Sequence, residues 1–379
     1  MKNLITIVVS ILFLQSAVGQ GLEDALRYSQ NFAGGTARSS AMGGAFGAVG
    51  ADFGSVGINP AGIALYRSSE LVFTPSFMNI TADASYFNTS ASDFATNFNL
   101  NNFSFVSAYV SKRNSGWVSA SFGIGYNRVN NFHGSRITRG LNPNNSLVDY
   151  FMSYAGSTPP QDLDPFFEQL AYDAWLIDYV EDPGGNFYDT GVLLPVNQRR
   201  TLVTEGKNNE WNFTFGANYS NMLYLGGAFT INSVYYDLTS RHHEFDGQEV
   251  SPDFNSFTFT ETLTTTGRGF SGKFGAIFRP ITMLRFGASV HLPTYYNLED
   301  EFYTSIISNY VDRTLYPQDA NQNTYNVLLS DYKILETLQN PCVLIHSCSK
   351  FNDYKKGMLP VNWLEQYCYG NWKVCKFYT

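Results

Sequence analysis

The sequence predicts an all-β fold, a transmembrane antiparallel β-barrel with an N-terminal luminal hatch. Three observations carry that reading. Several runs alternate aromatic or aliphatic residues with Gly, Ser, Thr and Asn. Only 15% of the 379 residues are charged and 16% are aromatic, with 31 Phe and 25 Tyr, whereas a soluble domain carries about 25% charge. An export-type N-terminus precedes both features.

Met1-Lys2-Asn3 opens with a positive charge, Leu4 to Leu14 is apolar, and Ala17-Val18-Gly19 offers small residues for cleavage. This predicts a signal peptide over residues 1–19. The apolar run is shorter than the roughly 20 residues of a spanning helix, and no later run reaches that length. The net charge of −8 argues against nucleic acid as a partner.

Residues 20–66 form the expected hatch. A weak helical pattern at Leu22, Ala25, Leu26 and Tyr28 leads into a small-residue stretch from Ser39 to Asp52, continued by Asn59-Pro60-Ala61-Gly62. Ala41, Ala45, Ala48 and Val49 have the spacing of a short helix. Gly43, Gly44 and Gly47 each weaken it by about 1 kcal/mol relative to alanine, so tertiary support is required. Gly43, Gly44, Asn59, Pro60 and Gly62 are the candidate residues that shape this segment; Asn59-Pro60 is a turn signal.

Residues 67–340 read as the barrel. Leu71 to Met78 is extended, with Pro75 interrupting the ladder. Phe103 to Val110 is apolar without clean alternation. Over 118–127, Val118, Ala120, Phe122, Ile124 and Tyr126 oppose Ser119, Ser121, Gly123, Gly125 and Asn127. The same period of two returns over 212–219, 223–232, 270–278 and 284–292, and it places the two sets on opposite faces. A secreted sandwich would bury the apolar face; an outer-membrane barrel would turn it to lipid and the small polar face to its lumen. The export signal, low charge and strand length favour the barrel. Trp117, Tyr126, Trp211, Tyr219 and Tyr224 suit interfacial aromatic belts. Lys273, Arg285 and His291 fall on the lumen side of their strands.

Residues 128–209 are expected as one long extracellular loop with a helix over 165–179. Residues 242–254 read as a second polar loop; His242-His243-Glu244 lacks the spaced partner ligands of a metal site. Tyr303, Ile306 and Ile307 fit a strand rim or a short helix, and 310–325 an exposed loop. The tail 341–379 holds Cys342, Cys348, Cys368 and Cys375. In an exported chain two disulfides are expected, with three possible pairings; partly free thiols and a metal site are the alternatives. The lost alternation there suits a chain truncated or altered at its C-terminus.

Ala41-Met42-Gly43-Gly44-Ala45, Ala48, Ala51, Asp52 and Asn59-Pro60-Ala61-Gly62 together resemble the FadL/TodX family of outer-membrane transporters, in its Bacteroidetes-type form. The resemblance covers roughly residues 20–340. It implies a 14-stranded barrel plugged by the hatch and passive uptake of long-chain fatty acids or aromatic hydrocarbons. Expected partners are hydrophobic small molecules, outer-membrane lipid, lipopolysaccharide and the barrel assembly machinery, with the chain a monomer and no cofactor. A structural or adhesive surface protein and a general porin are the alternatives. An enzyme is not expected: there is no Gly-x-Ser-x-Gly elbow, His-Glu-x-x-His helix or convincing carboxylate pair.

Overall fold

The computed structural model describes residues 22–311 apart from 31, 33 and 114, and beyond them the backbone of four short strands. The signal-peptide assignment at 1–19 and the cysteine side chains fall outside the described residues. The chain forms a mostly antiparallel β-sheet, curled into a half-barrel. Its strands are β1 (Glu70–Tyr86), β2 (Thr89–Val110), β3 (Trp117–Asn131), β4 (Gly134–Asn142), β7 (Val196–Tyr219), β8 (Leu223–Phe245), β9 (Phe254–Ile281), β10 (Leu284–His291) and β11 (Tyr295–Tyr310). A separate short hairpin joins β5 (Asp178–Val180) to β6 (Phe187–Asp189).

Neighbours in sequence are mostly neighbours in the sheet, in the order β1-β2-β3-β7-β8-β9-β10. β3 and β4 both pair with β7; β10 and β11 both pair with β9. Each of these pairs is therefore one long strand, broken at Phe132-His133 and at Leu292-Pro293-Thr294. Beyond residue 311, β12 (Tyr325–Leu329) pairs with β11 and β13 (Val343–Ser349) with β10. β14 (Gln366–Tyr369) and β15 (Trp372–Cys375) form a hairpin. Pro75 acts as expected: the register shifts between Thr74 and Pro75, placing the missing N–H at a bulge.

The strands are much longer than the alternating runs. The apolar alternation covers only one end of each strand. Over 199–207 the outward positions of β7 are Arg199, Thr201, Val203, Glu205 and Lys207, so no apolar face marks the strand. For that reason both ends of the expected loop 128–209 are strand, and its irregular part narrows to 143–195. Likewise His242-His243-Glu244 lies on β8, leaving 246–253 as the loop. Residues 295–310 are strand, which places Tyr303, Ile306 and Ile307 in the sheet.

The 143–195 excursion forms a cap with its own core. α3 (Leu147–Ala155) starts at Ser146, whose hydroxyl accepts from the Val148 N–H while Asp149 accepts from the Ser146 N–H, a reciprocal capping box. The expected helix at 165–179 shortens to α4 (Glu168–Asp173), which ends at Ala174 before Trp175 adopts φ 59°. Phe151, Leu170, Ile177 and Tyr188 pack with Phe257, Phe259 and Ile306 of the sheet rim. Glu244 ties the two together. Fully buried, its carboxylate accepts from Ser146 Oγ, the Leu147 N–H at 2.8 Å and Gln198 Nε2 at 2.8 Å, with His242 Nε2 also 2.8 Å away.

Two outcomes follow. Glu244→Ala leaves buried donors without an acceptor, which costs about 3 kcal/mol; limited proteolysis should cleave 143–195 faster while the remaining sheet stays resistant. In the 246–253 loop, burial raises the Asp246 pKa, but the backbone N–H groups of Ser251, Val250 and Gln248 outweigh this and hold it below the usual carboxylate value. Asp246 therefore stabilises the loop above the unfolded pKa of about 3.9, and that stability is lost as pH falls through the lower folded value. The Gln248 amide resonance should titrate with a midpoint below 3.9 (the unfolded value); a midpoint at or above it contradicts this account.

Candidate functional site

The N-terminal segment lies against the inner face of the curled sheet. α1 (Leu22–Ser29) brings Tyr28 onto Val234, Tyr236, Tyr296 and Leu298. The Phe32 N–H donates to Val129 O at 3.2 Å. α2 (Ala37–Ala41) starts at Thr36, which accepts from the Ser39 N–H. The expected helix across 41–49 does not form: Gly43 and Gly44 take φ 60° and 76° and end α2, a left-handed stop that glycine adopts without a Cβ penalty. Asp52 caps the 3-10 turn 53–57 by accepting from the Gly54 N–H at 2.7 Å, and it also accepts from Thr36 Oγ1 at 2.6 Å. Asn59 caps the next 3-10 turn, 60–65, with Pro60 at its first position, where a missing N–H costs nothing.

The segment 58–64 crosses the strands on a file of small residues. Ser121, Gly216, Gly226, Gly275 and Ser289 are consecutive register partners on β3, β7, β8, β9 and β10. A Cβ on Gly226 would lie 2.6 Å from Ala61 Cα, and one on Gly216 2.9 Å from Ala64 N. A Cβ on Gly275 would collide with Asn59 Oδ1, and one on Gly287 would lie 2.8 Å from the Gly47 carbonyl carbon. Within the segment, Gly50 and Gly62 face each other; a Cβ on Gly50 would sit 2.9 Å from Gly62 Cα. Their backbones are joined by Ala51 N–H donating to Gly62 O at 2.9 Å.

Hydrogen bonds fix the docked segment. Asn59 Nδ2 donates to Gly47 O at 2.7 Å and to Ala276 O at 3.3 Å. Ser289 Oγ donates to Ile58 O at 2.8 Å, and Arg285 Nη1 to Val49 O at 2.9 Å. His291 Nε2 lies 2.9 Å from Ile58 O; the carbonyl only accepts, so the proton sits on Nε2. Lys273 pairs with Glu210 at 2.6 Å, both side chains nearly buried. Farther along the inner face, both amide atoms of Asn212 and the amide oxygens of Asn208 and Asn232 lack partners among the described residues.

The outer face is the reverse. Phe213, Phe215, Phe229, Phe270, Phe274 and Phe286 are exposed. On β7 this apolar band runs from Tyr219 to Trp211, roughly 27 Å of chain at about 3.4 Å per residue. Aromatic pairs bound it: Trp117 with Tyr219, centroids 5.3 Å apart, and Tyr126 with Trp211, 5.5 Å apart. Tyr224 does not belong to that belt; it is buried against Ala61, Ala64 and Ile277 on the inner side.

Of the expected site residues, Asn59, Pro60, Gly62, Arg285 and His291 converge on the docked segment. Gly44 is buried in its turn, whereas Gly43 is exposed with open space around it. Lys273 belongs to an inner ion pair instead. Cys342, Cys348, Cys368 and Cys375 carry no side-chain description, so their pairing is outside the described residues. Sequence reasoning missed Gly50, Glu210, Ser289 and the sheet glycines as contact residues. Their signal was the alignment of small residues at one level of successive strands. The chain matches no known protein-family model, curated protein or solved structure.

Gly226→Ala should displace the segment and cost about 2 kcal/mol, seen as faster protease access to 34–66. Gly227→Ala, whose Cβ would meet only Phe274 at an ordinary 3.6 Å among its nearest side chains, should leave access unchanged. Equal behaviour of the two variants contradicts the packing account.

Proposed function

We propose that the chain is an outer-membrane β-barrel protein through which hydrophobic molecules, such as long-chain fatty acids or aromatic hydrocarbons, pass without energy input. The apolar outer band carries this reading. A continuous exposed band of phenylalanines is unfavourable in water and suited to lipid, where strands of about 9–11 residues cross. The tryptophan and tyrosine pairs at its two edges fit the water–lipid interfaces.

A sheet in lipid must pair all its backbone groups, so this reading requires closure of the half-barrel. Counting β3 with β4 and β10 with β11, the inner sheet has seven long strands, half the fourteen implied by the FadL/TodX resemblance. The docked segment 34–66 then serves as the hatch that narrows the passage. The identity of the cargo rests on the resemblance, and no catalytic step is proposed.

A second reading has a specific observation in its favour. The amide oxygens of Asn208, Asn212 and Asn232, without partners among the described residues, suit a water-lined interior, as in a general porin.

Proteoliposomes separate these readings. The purified chain should pass a fluorescent fatty acid while retaining a small sugar. Leakage of sugar limited only by size would favour the porin. No flux of either solute, from a chain whose gel migration changes on heating, would reject transport and favour a structural or adhesive surface role.

A further inference from the structure

At the seam between the docked segment and the sheet lies a cavity of about 100 Å³, room for several water-sized groups. It opens beside the tight turn between β7 and β8. Arg67, Arg279 and Arg285 line it, together with Asn218, Asn221 and Tyr66, and no carboxylate is among the lining residues. Of the nearby acids, Asp52 is engaged by Thr36 Oγ1 and the Gly54 N–H, and Glu70 acts on the Tyr66 side chain.

The three guanidiniums are not equally used. Arg285 spends one N–H on Val49 O. The side chains of Arg67 and Arg279 form no hydrogen bond or ion pair among the described residues. Asn221 accepts from Asn218 Nδ2 at 2.9 Å through its amide oxygen, which leaves its NH2 group as a donor. The cavity thus gathers three guanidiniums and several neutral donors in its lining, while Glu70 and Asp52, the carboxylates that act on Tyr66, are not among the lining residues. Like charges lining one cavity repel one another, and an anion between them relieves that repulsion.

We propose that this cavity binds a phosphate group. Guanidiniums present paired N–H donors that match the oxygens of a tetrahedral oxoanion, and three cations match a phosphate dianion better than a single carboxylate. The source is either free phosphate or the headgroup of a phospholipid, since the same donors recognise both. The inference stands apart from the transport reading, because it needs only the cavity and its lining.

Titration calorimetry on the purified full chain tests it, with inorganic phosphate and water-soluble dihexanoyl phosphatidic acid as probes. Saturable phosphate binding is expected, weakened about tenfold or more, which is about 1.4 kcal/mol, by Arg279→Gln or by Arg67→Gln. Neither of these arginines anchors the segment, so heat-modifiable migration should be retained. Arg279→Lys should recover part of the loss through charge alone. Tighter binding of the lipid than of phosphate assigns a headgroup; equal or weaker lipid binding assigns the free ion. Absence of saturable binding of both probes overturns the proposal, as does wild-type affinity in both glutamine variants.

Discussion

The contact on which the molecule depends is backbone against backbone: residues 58–64 crossing five strands on Ser121, Gly216, Gly226, Gly275 and Ser289. A segment running across strands cannot join their ladder, so its polar groups must be satisfied otherwise. Turn bonds and side chains accomplish this. Asn59 serves both purposes, accepting from the Ala61 N–H within the segment and donating to Ala276 O of the sheet. Close approach is possible because the inner face has no Cβ at Gly216, Gly226 and Gly275 and only short side chains at Ser121 and Ser289. One methyl group in this file would move either the segment or a strand, since packed interiors do not absorb such volumes freely.

The same strands do opposite things on their two faces. Period-two alternation sends Phe213, Phe229 and Phe274 outward and Thr214, Thr230 and Lys273 inward. The inner surface is therefore polar even where it is deeply buried, and the Lys273–Glu210 pair is held at 2.6 Å there. Such a pair is expensive to break from one side, because the remaining charge stays buried. At the opposite end of the strands, Glu244 has a comparable place. It links α3, β7 and β8 through one carboxylate and seats the cap on the rim.

Much of the strand pattern was legible in the residues. Runs such as 212–219 and 284–292 alternate apolar with small or polar residues, and the faces agree with burial over 212–219 and 286–292. The legible part ended where the apolar face ended. From Val196 to Glu210 the strand is held by ladder bonds to β8 and β4, which leave no hydrophobic signature. The helix expected at 41–49 failed because two left-handed glycines outweigh the spacing of its alanines. The helix α3, opened by Ser146 and Asp149, was not foreseen, since it falls inside the one long loop expected over 128–209.

The sequence by itself determined the local periodicity, the two chemically distinct faces and the turn at Asn59-Pro60, because each depends on a few adjacent residues. Only the tertiary structure decided which small residues line up across strands, how Gly50 meets Gly62, and which distant arginines gather at one cavity. Those facts depend on register and on the path of a segment that crosses the sheet. No single stretch encodes them: each strand contributes one or a few residues to the contact, and partners lie up to 236 positions apart, as Arg285 and Val49 do.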